Sequence, residues 1–283
     1  MKLTIRGMLQ LAGRRRADLV RLGPELRAPL TALLDHDPVA NVFLRSEMRL
    51  GARLEAWWGL GDGEGLRAAL MGGPVVVPWI PDLDDASAIG AALAHQLPPR
   101  LIIGPAPAVR ALAGLLGPHR RPVEVRDPQP VMVLDGPPSS LPGVPIRRGR
   151  RDDLDALTVA AAAMHREEMG VDPMAVDAVG WRLRMAALID RGWSFLLMEG
   201  DQIAFKLELS AWTPEAVQIQ GVWTDPRFRR RGIATAAMAA VCAELLTQVP
   251  VCSLYVNAYN EPALRLYRRL GFRQVGDFAT FIY

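Results

Sequence analysis

The stretch DGPPSSLPGVP, residues 135 to 145, limits the architecture more than any other part of this chain. Four prolines and two glycines in eleven residues fit neither a helix interior nor a central strand. They read as a linker that cuts the 283 residues into two lengths of ordinary domain size, 1–140 and 144–283. In the first, a helical pattern from PELRAPL to FLRSEM precedes two runs, EAWWGL and GLRAALM, which flank a hairpin turn. PVVVPWI and RLIIGP follow as strands, SAIGAALAHQL and PAVRALAGLLG as helices, and RPVEVR and PVMVLDG as two closing strands. The second length opens with strand VPIRRG and helices DDLDALTVAAAAMHREEM and DAVGWRLRMAALIDRG. Strands SFLLMEG, QIAFKLELS and AVQIQGVW come next, at hairpin spacing. A loop and helix, strand VCSLYVN, helix EPALRLYRRLG and a final strand pair in FRQVGDFATFIY complete it. Both halves are α/β, with a mixed sheet expected.

Composition excludes several classes. Half the residues are apolar and 22% are charged, enough for a sizeable core. A net charge of +3 is too small to argue for nucleic acid. Apart from Lys2 and Lys206, every cation is arginine, the bland signature of a GC-rich coding sequence. Cys242 and Cys252 lie in apolar runs and read as buried thiols in a reducing compartment. His36, His95, His119 and His165 have no ligand spacing, so no metal is expected. The first sixteen residues lack the apolar core of a signal peptide, and no run approaches a membrane span. The expectation is a cytoplasmic protein without a membrane or nucleic-acid partner. The sequence leaves a homodimer open.

The chemistry is expected at TDPRFRRRGIATAAMAAVCAELL, residues 224–246. A strand enters a loop with three arginines, and a helix begins near Gly232. A helix start offers unpaired N–H groups and the positive end of a dipole. Gly232 and Ala234 let a bulky anion approach the backbone, and the arginines add charge. The helix is apolar nearly all round, so a buried N-terminus is expected.

The spacing Arg229-x-x-Gly232-x-Ala234 resembles the pyrophosphate loop of GNAT-superfamily N-acetyltransferases. A second block, Asn260-x-x-Ala263-x-x-x-Tyr267 followed by Gly271-Phe272, is similar to the family's next strand–helix segment. The resemblance spans residues 144–283 and implies acetyl-coenzyme A as co-substrate, held by Arg229, Arg230, Arg231, Gly232, Ile233, Ala234, Thr235 and Asn260. It implies backbone contacts to the pantetheine arm and carbonyl from Val222, Trp223 and Thr224. It also implies direct attack by a primary amine, on a small molecule or a protein, with Tyr267 protonating the departing thiolate. A phenol of pKa near 10 keeps its proton at neutral pH. From its own residues, Asn260 reads as a helix cap, with Pro262 in the first turn and Gly271 at the end.

The general base stays open. Some relatives carry a glutamate five residues before the motif asparagine, where this chain has Tyr255. Glu208 is one substitute: Lys206, Glu208 and Ser210 alternate on one strand, and a symmetric turn sets Glu208 opposite Gln218 and Lys206 opposite Gln220. Glu168, beside Glu167 at the end of the first helix, is the other. The Tyr255 departure also admits a second reading, an acyl-coenzyme A-binding regulatory or structural module without turnover. The first half resembles the degenerate N-terminal copy of tandem GNAT proteins. Where a phosphate loop would lie it has PWIPDLDDAS, whose acids repel a pyrophosphate, so one cofactor site is expected.

Overall fold

The computed structural model describes residues 18–61, 65–95, 98–117, 120–138 and 143–283. In chain order the first half gives β1 (Asp18–Arg21), α1 (Arg27–Leu34), α2 (Val42–Arg49), β2 (Trp57–Gly61), β3 (Leu66–Met71), β4 (Val75–Trp79), α3 (Ala86–Gly90), β5 (Leu101–Pro105), α4 (Ala106–Leu115) and β6 (Glu124–Leu134). The second gives β7 (Arg147–Arg148), α5 (Leu154–Met169), α6 (Pro173–Asp190), β8 (Ser194–Glu199), β9 (Gln202–Trp212), β10 (Val217–Thr224), α7 (Ile233–Leu245), β11 (Cys252–Tyr255), α8 (Glu261–Leu270) and β12 (Arg273–Ile282). The architecture is α/β with mixed sheets.

Two compact units emerge, and they are interleaved in sequence. One holds the described parts of Met1–Asp37 with Leu50–Asp127 and Phe278–Tyr283; the other holds Pro38–Arg49 and Pro128–Asp277. In the first unit the strand order is β1-β2-β3-β4-β5-β12, and β5 pairs with the end of β12 from Phe278↔Pro105 to Ile282↔Leu101. In the second it is β6-β11-β10-β9-β8-β7, and β6 pairs with β11 from Val131↔Tyr255 to Leu134↔Cys252. Each unit thus repeats one plan, antiparallel strands leading to a parallel pair. Each takes its sixth strand from the other half of the sequence.

The exchange explains one difference from expectation. RPVEVR and PVMVL form one strand, not two, and so does FRQVGDFATFIY. β6 begins in the first unit and continues in the second, while β12 does the reverse. Pro128 and Pro130 do not stop β6, because their carbonyls accept from Ala258 and Val256 at 3.3 and 3.2 Å. Each serves only as an acceptor there, so the missing N–H costs nothing. α2 is likewise lent to the second unit. Its Ser46 hydroxyl accepts from the Trp212 N–H at 3.0 Å, Arg45 pairs with Glu215 at 2.7 Å, and Val42 packs with Ala211 and Ala216.

The core of the second unit joins α5, α6 and α7 to the sheet through Leu157, Met185, Phe195, Phe205, Leu209 and Met238, among others. A first turn of α6 begins at Pro173, capped by Asp172, which accepts from the Met174 N–H; the helix is then interrupted at non-helical Asp177, whose carboxylate accepts from the Gly180 N–H at 2.8 Å and starts the stretch that the periodicity predicts. In the first unit, Asp82 accepts from the Asp84 N–H ahead of α3, and buried Asp85 pairs with Arg67 at 2.8 Å. The parallel pair β4–β5 is joined only at Val75↔Leu101 and Val76↔Ile102. Beyond it, a Cβ on Gly104 would lie 3.4 Å from a Pro78 ring carbon and from its carbonyl oxygen, so proline packs on glycine where the two strands part.

Candidate active site

In the second unit the equivalent parallel pair, β10–β11, is joined only at Val217↔Cys252 and Gln218↔Ser253. Among the described residues the remainder of β10 runs on without a paired strand on that edge. Its other edge, toward β9, carries two irregularities. The Thr213–Ala216 turn sets Val217 opposite Trp212, and Ser210 is then the extra residue between Gln218↔Ala211 and Ile219↔Leu209. Gln220 faces Glu208, and Trp223 faces Lys206, so Gly221 and Val222 together oppose Leu207. This is a β-bulge that bends the strand. The symmetric register expected from the sequence is therefore wrong: the tight turn lies later, at Thr213–Ala216, so Glu208 faces Gln220 instead of Gln218 and Lys206 faces Trp223 instead of Gln220, while the two bulges shift the pairing by one residue in opposite senses. The polar set separates accordingly into Lys206 with Glu208 and Ser210 with Gln218. Gly221, at φ +59°, was not singled out from the sequence, although a glycine inside a strand pattern is the usual sign of a bulge.

β10 ends at Thr224, and a short turn from Pro226 to Phe228 follows, capped by Asp225, whose carboxylate accepts from the Arg227 N–H at 2.9 Å. Arg230 is the one non-glycine at positive φ (+60°) among the described residues, and Gly232 is also left-handed at +77°. This unwound path turns successive N–H groups outward. Among the described residues no carbonyl or side chain accepts from the N–H groups of Arg230, Arg231, Gly232, Ile233, Ala234 or Thr235; the first inward bond is Ala236 N–H to the Gly232 carbonyl at 3.1 Å. Gly232 caps α7 without a side-chain acceptor. Six adjacent donors and a helix dipole form an anion cradle of the kind that holds phosphate oxygens. From Ala237 one broad face of the helix is buried, with Ala243 and Glu244 exposed, but its first turn is half-exposed and the loop before it is open. The buried N-terminus expected from the sequence is thus an open one, which a soluble anion can reach.

The arginines divide in role. Arg229 binds the Glu167 carboxylate at 2.6 Å and the Thr224 carbonyl at 2.9 Å. Glu167 also accepts from the Trp223 indole at 3.3 Å, which ties the end of α5 to β10. Arg231 and Arg227 both lie against the Phe228 ring, at 5.5 and 5.6 Å from its centre. Val222 and Thr224 are half-buried beside the unpaired edge of β10, and Trp223 is buried.

On α8, Asn260 caps the helix by accepting from the Ala263 N–H at 3.2 Å, and Gly271 ends it at φ +101°. The cap leaves the amide nitrogen of Asn260, which is exposed, for other partners. Tyr267 is buried, with its ring 5.8 Å from that of Phe272. Burial lifts its hydroxyl well above the ordinary tyrosine pKa, and the nearby Glu168 carboxylate and Cys242 lift it further. The fold therefore brings Glu168, on the exposed last turn of α5, into electrostatic reach of Tyr267. Glu208, by contrast, is 3% exposed and bound to Lys206 at 2.6 Å. Cys242 and Cys252 are free, buried thiols. The Cys252 thiol and burial hold Cys242 protonated. Among the described residues no group of three or more His, Cys, Asp or Glu side chains is placed to hold a metal, and no helix is long and apolar enough to cross a membrane.

Comparison with known proteins bears on the family and the fold. Residues 183–272 match the model of the acetyltransferase (GNAT) family, and residues 55–157 match a domain of unknown function, DUF4081. No curated protein sequence matches the chain. A GNAT-family acetyltransferase from Colwellia psychrerythraea is 14% identical at a TM-score of 0.62, over 95% of this chain and 99% of that one. A GCN5-related N-acetyltransferase from Sphaerobacter thermophilus is 17% identical at 0.56, over 93% and 94%. A tandem GNAT protein from the clavulanic acid biosynthesis pathway is 14% identical at 0.55, over 94% and 98%. The C-terminal unit of this protein thus carries a domain of the GNAT acetyltransferase family, within a chain that has the fold of tandem GNAT proteins.

Proposed function

We propose that the second unit transfers an acetyl group from acetyl-coenzyme A to a primary amine. The observation that carries this reading is the row of six N–H groups, Arg230 to Thr235, with no acceptor among the described residues. They fit a pyrophosphate, with Arg229, Arg230 and Arg231 supplying charge. The unpaired edge of β10 at Val222, Trp223 and Thr224 fits an extended pantetheine arm as a further strand would be held. When bound, acetyl-coenzyme A supplies an activated thioester.

The residues then divide the proton work. Tyr267 holds a proton that its surroundings bind more tightly than water would, and its hydroxyl gives that proton to the departing thiolate. Glu168, exposed and near Tyr267, takes the proton released by the attacking amine. We prefer it to Glu208, whose carboxylate is committed to Lys206. Asn260 orients the cofactor through its amide nitrogen. The first unit holds no second cofactor in this reading. Two observations support that: Pro78 packs on Gly104 where β4 and β5 part, and Asp82 and Asp85 stand at the start of α3.

Tyr255, in the position where some relatives carry a glutamate, favours the rival reading, a coenzyme-binding module without turnover. Calorimetric titration with acetyl-coenzyme A tests the common part. Micromolar binding at one site per chain is expected, and no heat at millimolar ligand sinks the proposal. A screen of amines against the bound form then separates enzyme from module.

A further inference from the structure

Lys206 stands apart in this chain. All but two of its 33 lysines and arginines are arginine, yet the one lysine besides Lys2 occupies a fully buried site. Its ammonium has three N–H donors and meets three acceptors: Glu208 Oε1 at 2.6 Å, the Gly221 carbonyl at 3.1 Å and Met164 Sδ at 3.5 Å. A planar guanidinium with five donors does not match these three acceptors. The ammonium joins α5, β9 and β10 at the residue where the bulge begins. The Glu208 carboxylate lies directly under Gly221, so that a Cβ there would sit 2.9 Å from Oε2. The bulge at Gly221–Val222 re-aims the backbone of Val222, Trp223 and Thr224, the segment assigned above to the pantetheine arm.

We infer that Lys206 and Glu208 form a clamp that sets the β10 bulge and thereby positions the strand that holds the acyl donor, so that Glu208 is a positioning residue and not the general base. The link to the acyl donor rests on the acetyl-coenzyme A reading; the link to the bulge does not. An ion pair so buried can be exchanged for apolar side chains without unfolding the protein, whereas removal of one partner strands a charge.

The test therefore uses the double variant Lys206→Met/Glu208→Leu in the full chain, with the single variant Glu208→Gln, which keeps an acceptor for the ammonium. Hydrogen–deuterium exchange is read at residues 219–225 and, as control, at 194–199. The double variant is expected to exchange at least tenfold faster in 219–225 with the control unchanged, and to bind acetyl-coenzyme A at least fivefold more weakly. Glu208→Gln keeps a hydrogen-bond acceptor but strands the ammonium charge, so it is expected to raise exchange in 219–225 and to weaken binding, both by less than the double variant's fold-change, while its rate against pH keeps the acidic limb. Unchanged exchange in 219–225 overturns the clamp. Faster exchange in a protein whose wild type binds no acetyl-coenzyme A keeps the clamp and removes the cofactor reading. Loss of the acidic limb in Glu208→Gln, with a rate at least a hundredfold lower and binding intact, makes Glu208 the base and overturns the positioning role. If the double variant does not fold, Glu208→Gln alone decides through its limb and its exchange.

Discussion

Gly221→Ala should be among the most damaging single-methyl additions in the second unit. Two costs add there. At φ +59° an L-residue enters the left-handed region, at about 1–2 kcal/mol. The new methyl would also lie 2.9 Å from Glu208 Oε2, 3.2 Å from its Cδ and 3.3 Å from Lys206 Nζ, so the ion pair must move off the Gly221 carbonyl. Loss of that charge-assisted hydrogen bond costs about 1.5–3 kcal/mol. The total is about 2.5–5 kcal/mol, or a fall in Tm of roughly 5–20 °C for a unit of this size. The control is Gly200→Ala, where φ is +64° but nothing lies within 4 Å of the added carbon. That variant pays the backbone cost alone, about 1–2 kcal/mol. Urea denaturation followed by tryptophan fluorescence compares the two. Equal losses would show that the clamp contributes nothing at Gly221 and would refute the argument.

Other outcomes follow from the same geometry. Tyr267→Phe should leave the fold intact, since the ring still packs on Phe272, and lower kcat by about 10²–10⁴ for the best amine found; a rate within threefold of wild type would remove Tyr267 as the acid. The raised pKa of Tyr267 also has a stability sign: the native state keeps a proton that the unfolded chain begins to release near pH 10. This contribution is fully present below pH ~10 and declines above it, so alkaline denaturation should start later in Tyr267→Phe than in wild type. Glu167→Gln frees Arg229 from an exposed ion pair and should tighten acetyl-coenzyme A binding about two- to fivefold at low salt, as read by calorimetry. Residues 144–283 expressed alone lose β6 and with it the buried side chains of Val131, Met132, Val133 and Leu134. At about 1.5–3 kcal/mol each, that is comparable to the whole stability of a domain, so circular dichroism should find the fragment unfolded. A cooperative melt from it would contradict the strand exchange.

What the sequence discloses is local. The cap at Asn260, the stop at Gly271 and the loop from Arg229 to Thr235 are each written within a few residues, because capping and left-handed turns depend on neighbours in the chain. The register of β9 with β10 is set by the tight turn at Thr213–Ala216, but the bulge at Gly221–Val222 is not local, since Lys206 from the facing strand and Met164 from α5 meet there. The exchange of β6 and β12 is less visible still, since period-2 alternation shows that a strand exists but not which strand it joins. The breaks that suggested two strands in each case, DPQP and VGD, fall near the points where β6 and β12 pass from one unit to the other. Glu167 as the partner of Arg229 lay 62 residues away in sequence, beyond any pattern argument.

The exchanged strands also set an order of events on the ribosome. When Tyr255 has been made, the second unit owns all six of its strands, β6 having waited since early in synthesis. The first unit, although made earlier, still lacks the strand that closes it against β5, which arrives only with Phe278 to Ile282. About 170 residues separate the two partners, so at roughly 5–20 residues per second the edge of β5 waits some ~9–35 s for its neighbour. During that interval it is an open template for any passing strand. The older half of the chain is thus the last to mature, and its vulnerability during synthesis is the consequence of lending β6 to its successor.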